Sequence, residues 1–223
     1  MTTALIITTL NEITGVKKIV PMIKKEWLDE IIFVDGGSTD GTIEEAKKMG
    51  FKVIIQKQKG HGAAVLEGAN SIKSENFILF GPDGNDEPEK IPLLIEKMKE
   101  GYDQVLVTRF GKGSVNLDAG IVDSFGNKMF AFLANVFFGG KWTDTLNESR
   151  IISKKAFVEL NFDAMDLSST QQMSIRGLKR RQKICEIVGN EGERVGGTRK
   201  MKPLGTGSSL SLGIIKEFIF WNR

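Results

Sequence analysis

The densest group of potential ligand oxygens in this 223-residue chain is Asp83, Asn85, Asp86, Glu87 and Glu89, within the stretch FILFGPDGNDEPE at residues 77–89. Carboxylate and amide oxygens suit a hard divalent cation, Mg²⁺ or Mn²⁺, and such an ion commonly shares its coordination shell with substrate phosphates. The acids follow Phe77, Ile78, Leu79 and Phe80, an apolar run without polar alternation that predicts a strand covered on both faces. Gly81-Pro82 breaks the run before the first acid. Ligands of open α/β sheets collect at the carboxyl ends of strands, so the stretch predicts a cation held there against a phosphate.

Other groups are less specific. VDGGSTDGT at residues 34–42 reads as a strand end, a glycine turn and a helix start, a pattern that serves a phosphate or nucleotide and also an ordinary strand-to-helix turn. Asn11 follows the first apolar run and reads as a helix N-cap. The only histidine, His61, stands between two glycines with no His/Cys set at zinc spacing and no Ser-His-Asp pattern, and reads as a loop residue. Lys179-Arg180-Arg181 with Lys183 reads as a solvated face, with anionic lipid headgroups as the alternative and nucleic acid the least supported partner. The single Cys185 cannot form an internal disulfide and reads as a small core residue, which fits a reducing compartment.

The elements that must position these groups follow from the periodicity. Apolar runs at residues 4–8, 31–34, 52–55, 77–80 and 104–108 predict five strands, and the segments between them carry helical spacing. Alternation of this kind predicts a three-layer α/β/α domain with a mostly parallel central sheet and right-handed crossovers. The first helix runs on through Val20 and Ile23, the second starts near Thr39 or Asp40 and stops at Gly50, and Asp86, Glu87 and Pro88 open the fourth. Further on, residues 121–138 predict a core helix, with a lipid-contacting surface as the alternative, 142–150 a polar loop, 154–160 and 168–181 two helices, and 184–188 a late strand. The apolar end from Ile214 to Trp221 fits a packed terminal helix, a dimer contact or an interfacial anchor.

Bulk composition narrows the classes. With 31 basic and 28 acidic residues the chain carries only +3, so no whole-molecule field draws it to nucleic acid. No basic leader with an apolar core opens the sequence, and no uncharged run reaches the roughly 20 apolar residues of a membrane span. The expectation is a soluble, cytoplasmic chain, at most peripheral on the cytoplasmic face of a membrane.

Taken in order, TLNE, VDGGSTDGT, KGHGAA, PDGNDEPE and TRF resemble the motifs of the family 2 glycosyltransferases with a GT-A fold, most of all the dolichol-phosphate and polyprenyl-phosphate sugar transferases. The likeness runs over residues 4–202, which implies one GT-A domain over residues 1–202 and a tail over 203–223. It implies an inverting transfer from a UDP- or GDP-linked sugar, with a divalent cation, to a polyprenyl (dolichyl) phosphate or a glycan. On the donor side it assigns Thr8, Leu10, Asn11 and Glu12 at the first strand end, Asp35, Gly37 and Ser38 at the second, and Gly62 and Arg109 beyond. Where the family usually reads VDDGSTDGT and DAD, this chain has Gly36 and Gly81, leaving Asp83 and Asn85 as the implied metal ligands. TDTLNESR implies acceptor-side or catalytic roles for Asp144, Glu148 and Arg150, and ERVGGTRKM implies that Arg194 and Lys200 grip the diphosphate. The loss of two aspartates sets a rival beside the transferase: a family member that binds a nucleotide-sugar or glycan without turning it over.

Overall fold

The computed structural model describes residues 1–198 and 203–220. In chain order these form β1 (Thr3–Thr9), α1 (Ile13–Ile19), β2 (Glu30–Asp35), α2 (Thr42–Lys48), β3 (Lys52–Ile55), α3 (His61–Ser71), β4 (Asn76–Phe80), α4 (Lys90–Lys99), β5 (Gln104–Thr108), α5 (Ile121–Phe138), β6 (Arg150–Ser153), α6 (Lys154–Glu159), α7 (Ser169–Lys179), β7 (Ile184–Val188) and α8 (Pro203–Ile219). Among the described residues seven strands make one sheet in the order β3-β2-β1-β4-β6-β5-β7. Every pairing is parallel except those of β6, which runs antiparallel to both β4 and β5.

The strand periodicity of two sorts the core into two layers. Ala4, Ile6, Ile32, Val34, Phe77 and Leu79 face α3, α6 and α7, where they meet Val65, Phe157 and Met173. Leu5, Ile7, Phe33, Ile78 and Phe80 face the other way, onto Val16 of α1, Ala46 of α2 and Leu94 of α4. Each large aliphatic or aromatic side chain buried this way contributes about 1.5–3 kcal/mol. The expected three-layer, mostly parallel architecture is therefore observed.

Local differences have physical causes. β6 lies where a polar loop was expected to end, because a four-residue strand carries too short an alternation to register, and Ser153 caps α6 immediately after it. α1 stops at Ile19, and Pro21 sits in the single 3₁₀ turn Val20–Met22 that replaces its expected continuation. α2 begins at Thr42, where Asp40 accepts from both its amide and its hydroxyl. Gly50 ends this segment with φ +83°, as the sequence predicts. α4 begins at Lys90, so Asp86 and Glu87 lie in the turn before it and are not first-turn charges.

The core-helix reading of residues 121–138 holds for one side only. Phe130, Ala131, Ala134 and Phe138 of α5 are buried, with Phe130, Ala134 and Phe138 packed on Ile175, Leu210 and Ile214, whereas Phe125 is 70% exposed and Phe132 64%. α8 is a helix packed through Leu210 and Ile214, while Leu212, Ile215, Phe218 and Ile219 on it are exposed. Trp221, at the end of that apolar run, lies outside the described residues. Glu217 fixes α8 to α7 from a buried position, accepting from Arg176 Nε at 2.7 Å, Lys179 Nζ at 2.7 Å and Gln172 Nε2 at 3.1 Å. Lys179 thus belongs to an internal ion pair and not to a solvated basic face, and Lys183 lies over the Tyr102 ring.

Candidate active site

The second strand end is built around its own carboxylate. Asp35, fully buried, accepts from Thr9 Oγ1 at 2.7 Å, Gly37 N at 2.8 Å, Ser38 N at 2.6 Å and Ser38 Oγ at 2.7 Å. The glycine turn aims the amides of Gly37 and Ser38 inward at Asp35, so these three residues, assigned to the donor side, stand together at the second strand end. Asn11 is not an N-cap: with φ +55° its side chain accepts from Thr39 N at 2.9 Å and its amide donates to Ser38 Oγ, tying the first strand end to the second. Leu10 is 40% exposed and passes beside Gly36, so an apolar surface borders this crevice.

The first and fourth strand ends bring the charged side chains together. Asp83 Oδ2 pairs with Arg194 Nη2 at 2.7 Å, and Asp83 Oδ1 accepts from Asn85 N at 3.1 Å. The reversed β6 delivers a further acid. Arg150 pairs with Leu79, and continuing that antiparallel register by two residues sets Glu148 beside Gly81. A Cβ placed on Gly81 would collide with Glu148 Oε1, so this carboxylate fills the space of the missing side chain. Glu148 Oε2 accepts from Thr8 Oγ1 at 3.2 Å and is 2.6 Å from His61 Nε2, whose Nδ1 is 2.7 Å from Ser169 Oγ. His61 is the first residue of α3, not a loop residue, and 14% of its side chain is exposed. Gly62 behind it packs against the Ala164 carbonyl, too close for a Cβ, and so makes a tight contact between two segments.

Burial raises the Asp83 carboxyl; Arg194 opposes this and Glu148 adds to it. Asp86 is raised well above the ordinary carboxylate range, by burial first and then by the charges of Glu148 and Asp83, against the amide of Gly81 that it accepts at 3.0 Å. Burial would raise Glu148 too, but the attraction and hydrogen bond of His61, with Thr8 and Arg194, hold it below the usual range. Such an excess of carboxylate over positive charge is what a bound cation relieves. Asp83 and Glu148 offer hard oxygens, and Asn85 Oδ1 is buried without a hydrogen-bond partner while its Nδ2 donates to Asp118 and Glu191. Among the described residues no three acidic, histidine or cysteine side chains converge closely enough to hold an ion alone, so a cation fits here only if phosphate oxygens complete its shell.

Around this centre the remaining predicted residues divide. Arg194 also reaches Glu12 Oε1 at 3.6 Å, and Val195 N donates to Asp83 O, so the segment after β7 lies across the first and fourth strand ends. Lys200 lies outside the described residues. Arg109 is committed to protein acids, donating to Asp144 Oδ2 from Nε at 2.7 Å and to Glu191 Oε1 from Nη1 at 2.8 Å. Asp144 is fully buried and accepts from the amides of Leu146 and Asn147; burial would raise it, but Arg109 and the amide of Leu146 hold it below the usual range. Arg150 is fully buried in β6, donates to the Asn147 carbonyl at 2.8 Å and to Ser174 Oγ at 3.2 Å, and is pulled down to about 10 by burial. Both residues shape the loop that carries Glu148. Sequence reasoning missed His61 and Ser169, which stand 87 and 108 residues from the partners they meet.

A largely parallel sheet with one reversed strand, helices on both faces and an acidic crevice at the strand ends is the architecture of a GT-A nucleotide-diphospho-sugar transferase. Residues 4–160 match the family described as glycosyl transferase family 2, and the chain belongs to that family. It is 28% identical over 187 residues to a dolichyl-phosphate hexose transferase of Haloferax volcanii, covering 84% of this chain and 80% of that protein. It is also 26% identical over 176 residues to the glycosyltransferase AglJ of the same organism, covering 77% of this chain and 57% of AglJ, so it spans little more than half of that relative. In fold it matches glucosyl-3-phosphoglycerate synthase from Mycobacterium tuberculosis, solved with Mn²⁺, uridine diphosphate and phosphoglyceric acid, with a TM-score of 0.76 over 99% of this chain and 78% of that one, at 19% identity.

Proposed function

We propose that this chain moves a sugar from a nucleoside-diphosphate donor to a polyprenyl phosphate, with inversion at the anomeric carbon. The observation that carries the reading is the pairing of Asp83 with Arg194 beside Glu148, where β1 and β4 end. Relatives support it: a dolichyl-phosphate hexose transferase aligns over 84% of the chain, and the fold match was solved with Mn²⁺ and uridine diphosphate.

A divalent cation held by Asp83 with donor phosphate oxygens would neutralise charge on the diphosphate. The bond from the anomeric carbon to the diphosphate oxygen breaks, and Arg194 stands where it stabilises the charge that gathers on the leaving group. The bond from an acceptor phosphate oxygen to the anomeric carbon forms on the opposite face. That oxygen is already anionic and requires no general base. A hydroxyl acceptor on a glycan would require one, and Glu148, 24% exposed, is the carboxylate placed for it, since Asp144 is enclosed.

The acceptor's lipid tail has a matching surface. An apolar groove of about 350 Å³ runs between α5 and α8, lined by Phe125, Met129, Phe130, Leu146 and Leu210. Asn127 in the same groove accepts from Arg109 Nη2 at 3.4 Å, which joins it to the crevice. Among the described residues no helix is long and apolar enough to cross a membrane. In this reading the exposed apolar side chains of α5 and α8, Phe125, Phe132, Leu212 and Phe218 among them, rest on the lipid surface. A second reading, a binder without turnover, is favoured by Gly36 and Gly81 standing where acids are usual. Asp83→Ala separates them: it abolishes nucleotide-sugar turnover in an enzyme, and a wild type stabilised thermally by UDP- or GDP-sugars with Mn²⁺ but without any transfer or hydrolysis favours the binder.

A further inference from the structure

We infer that Glu148 is the second carboxylate of the donor site, taking the place in space that a side chain at position 81 would fill, and that His61 is the residue that positions it there. The inference rests on the donor-site reading above and assigns residues within it.

Three independent features converge on it. First, Gly81 is enclosed by acids: the nearest atoms to a Cβ built there belong to Glu148, followed by Asp83 Oδ1 at 3.7 Å. Its φ lies outside the left-handed region, so the backbone accepts a side chain and the obstacle is Glu148 itself. Second, the hydrogen bonds orient the carboxylate. Thr8 and His61 both engage Oε2, which leaves Oε1 turned toward Gly81 and the Asp83 carboxylate. Third, the imidazole is fixed at both nitrogens. Nε2 meets Glu148 at 2.6 Å and Nδ1 meets Ser169 Oγ, at the start of α7, at 2.7 Å, so the ring cannot turn without losing both contacts. The residue behind an acidic ligand, oriented in turn by a hydroxyl, is the arrangement by which proteins hold ligand side chains to a metal–phosphate centre.

The chain thus has a two-carboxylate donor site assembled from β4 and the loop before β6, rather than from one short motif. His61 touches neither donor nor acceptor in this assignment; it acts through Glu148.

The test is a relocation. Mn²⁺ binding in the presence of uridine diphosphate, and of guanosine diphosphate in parallel, is followed by calorimetry and by the Mn²⁺ resonance signal, with thermal melting to verify folding. Glu148→Gln weakens Mn²⁺ binding at least tenfold, and His61→Ala weakens it about tenfold, the lower end of what loss of an outer-shell partner costs. His61→Gln, which keeps a donor, recovers part of the loss. Gly81→Asp alone binds poorly because its side chain collides with Glu148, whereas Gly81→Asp with Glu148→Ala returns to within about threefold of wild type by setting a carboxylate in the vacated volume. Folded Glu148→Gln and His61→Ala proteins that bind Mn²⁺ as wild type does would overturn the assignment, as would a folded double variant no better than Glu148→Ala. If the wild type itself binds neither nucleotide with Mn²⁺, the donor-site reading falls first and this inference with it.

Discussion

Asp144 distinguishes a keystone from a catalyst. Its carboxylate is wholly buried and takes five hydrogen bonds: Arg109 Nε at 2.7 Å, Nη2 at 3.2 Å and backbone N at 3.4 Å, with the amides of Leu146 at 2.9 Å and Asn147 at 3.2 Å. Asp144→Ala leaves the Arg109 guanidinium, 13% exposed, with Glu191 as its remaining acid, and frees two loop amides. Breaking a buried pair from one side costs about 3–5 kcal/mol. For a chain of this size that lowers Tm by roughly 6–20 °C. Asp144→Asn keeps an acceptor for the loop amides but loses the charge, and costs about 1.5–3 kcal/mol. The sign with pH follows from the lowered carboxyl: its stabilisation is fully present above the unfolded value of about 3.9 and is lost as pH falls through the lower folded value. The gap between wild type and Asp144→Asn is accordingly flat from about pH 5 to 8 and closes below about pH 4. Circular dichroism melts across that range measure it, alongside kcat and KM for donor turnover. An Asp144→Ala protein that melts with the wild type but loses kcat by orders of magnitude refutes the reasoning and restores Asp144 as a base.

Two further outcomes are expected. Glu217→Ala removes the acid that joins Arg176, Lys179 and Gln172, and should release α8 before the sheet melts, seen as faster amide exchange and proteolysis confined to residues 205–219; protection unchanged from wild type would show that apolar packing alone holds the helix. Phe125→Asp with Phe132→Asp changes two exposed side chains of α5, so Tm should move by no more than about 1 kcal/mol in equivalent stability, while KM for a long-chain polyprenyl phosphate rises at least tenfold and that for a water-soluble short-chain phosphate stays put. Equal KM values for both acceptors in wild type and variant would remove α5 from acceptor binding.

The parallel part of the fold was legible because most of its strands carry an unbroken apolar run followed by a turn signal, as in Ile31 to Gly37 and Phe77 to Pro82. Asp83 was legible for the same reason: it stands directly after a strand that sequence alone defines. Asp35, Asp144 and Arg150 carry the residue types of a ligand site, and only their surroundings reveal the internal donors and acceptors that engage them. Side-chain type and spacing cannot distinguish a carboxylate offered to a ligand from one spent on a turn, because both lie at strand ends and both are charged.

β6 explains why Glu148, read from the sequence on the acceptor side, was not read as a neighbour of Asp83. Had the chain after α5 added one more parallel strand, the loop leading into it would have opened at the amino ends of β4 and β5, on the far side of the sheet from Asp83. Reversed, β6 begins at their carboxyl ends, so the residues just before it, Asn147, Glu148 and Ser149, arrive beside Gly81 and Asp83. Its four residues pair with β4 on one side and β5 on the other, and Arg150 holds the Asn147 carbonyl from within. A glycine where an acid is usual is therefore not by itself a lost ligand. In an antiparallel pair the neighbouring strand supplies a side chain to the same point in space, and a Gly81 without a Cβ is what leaves room for Glu148 to reach it.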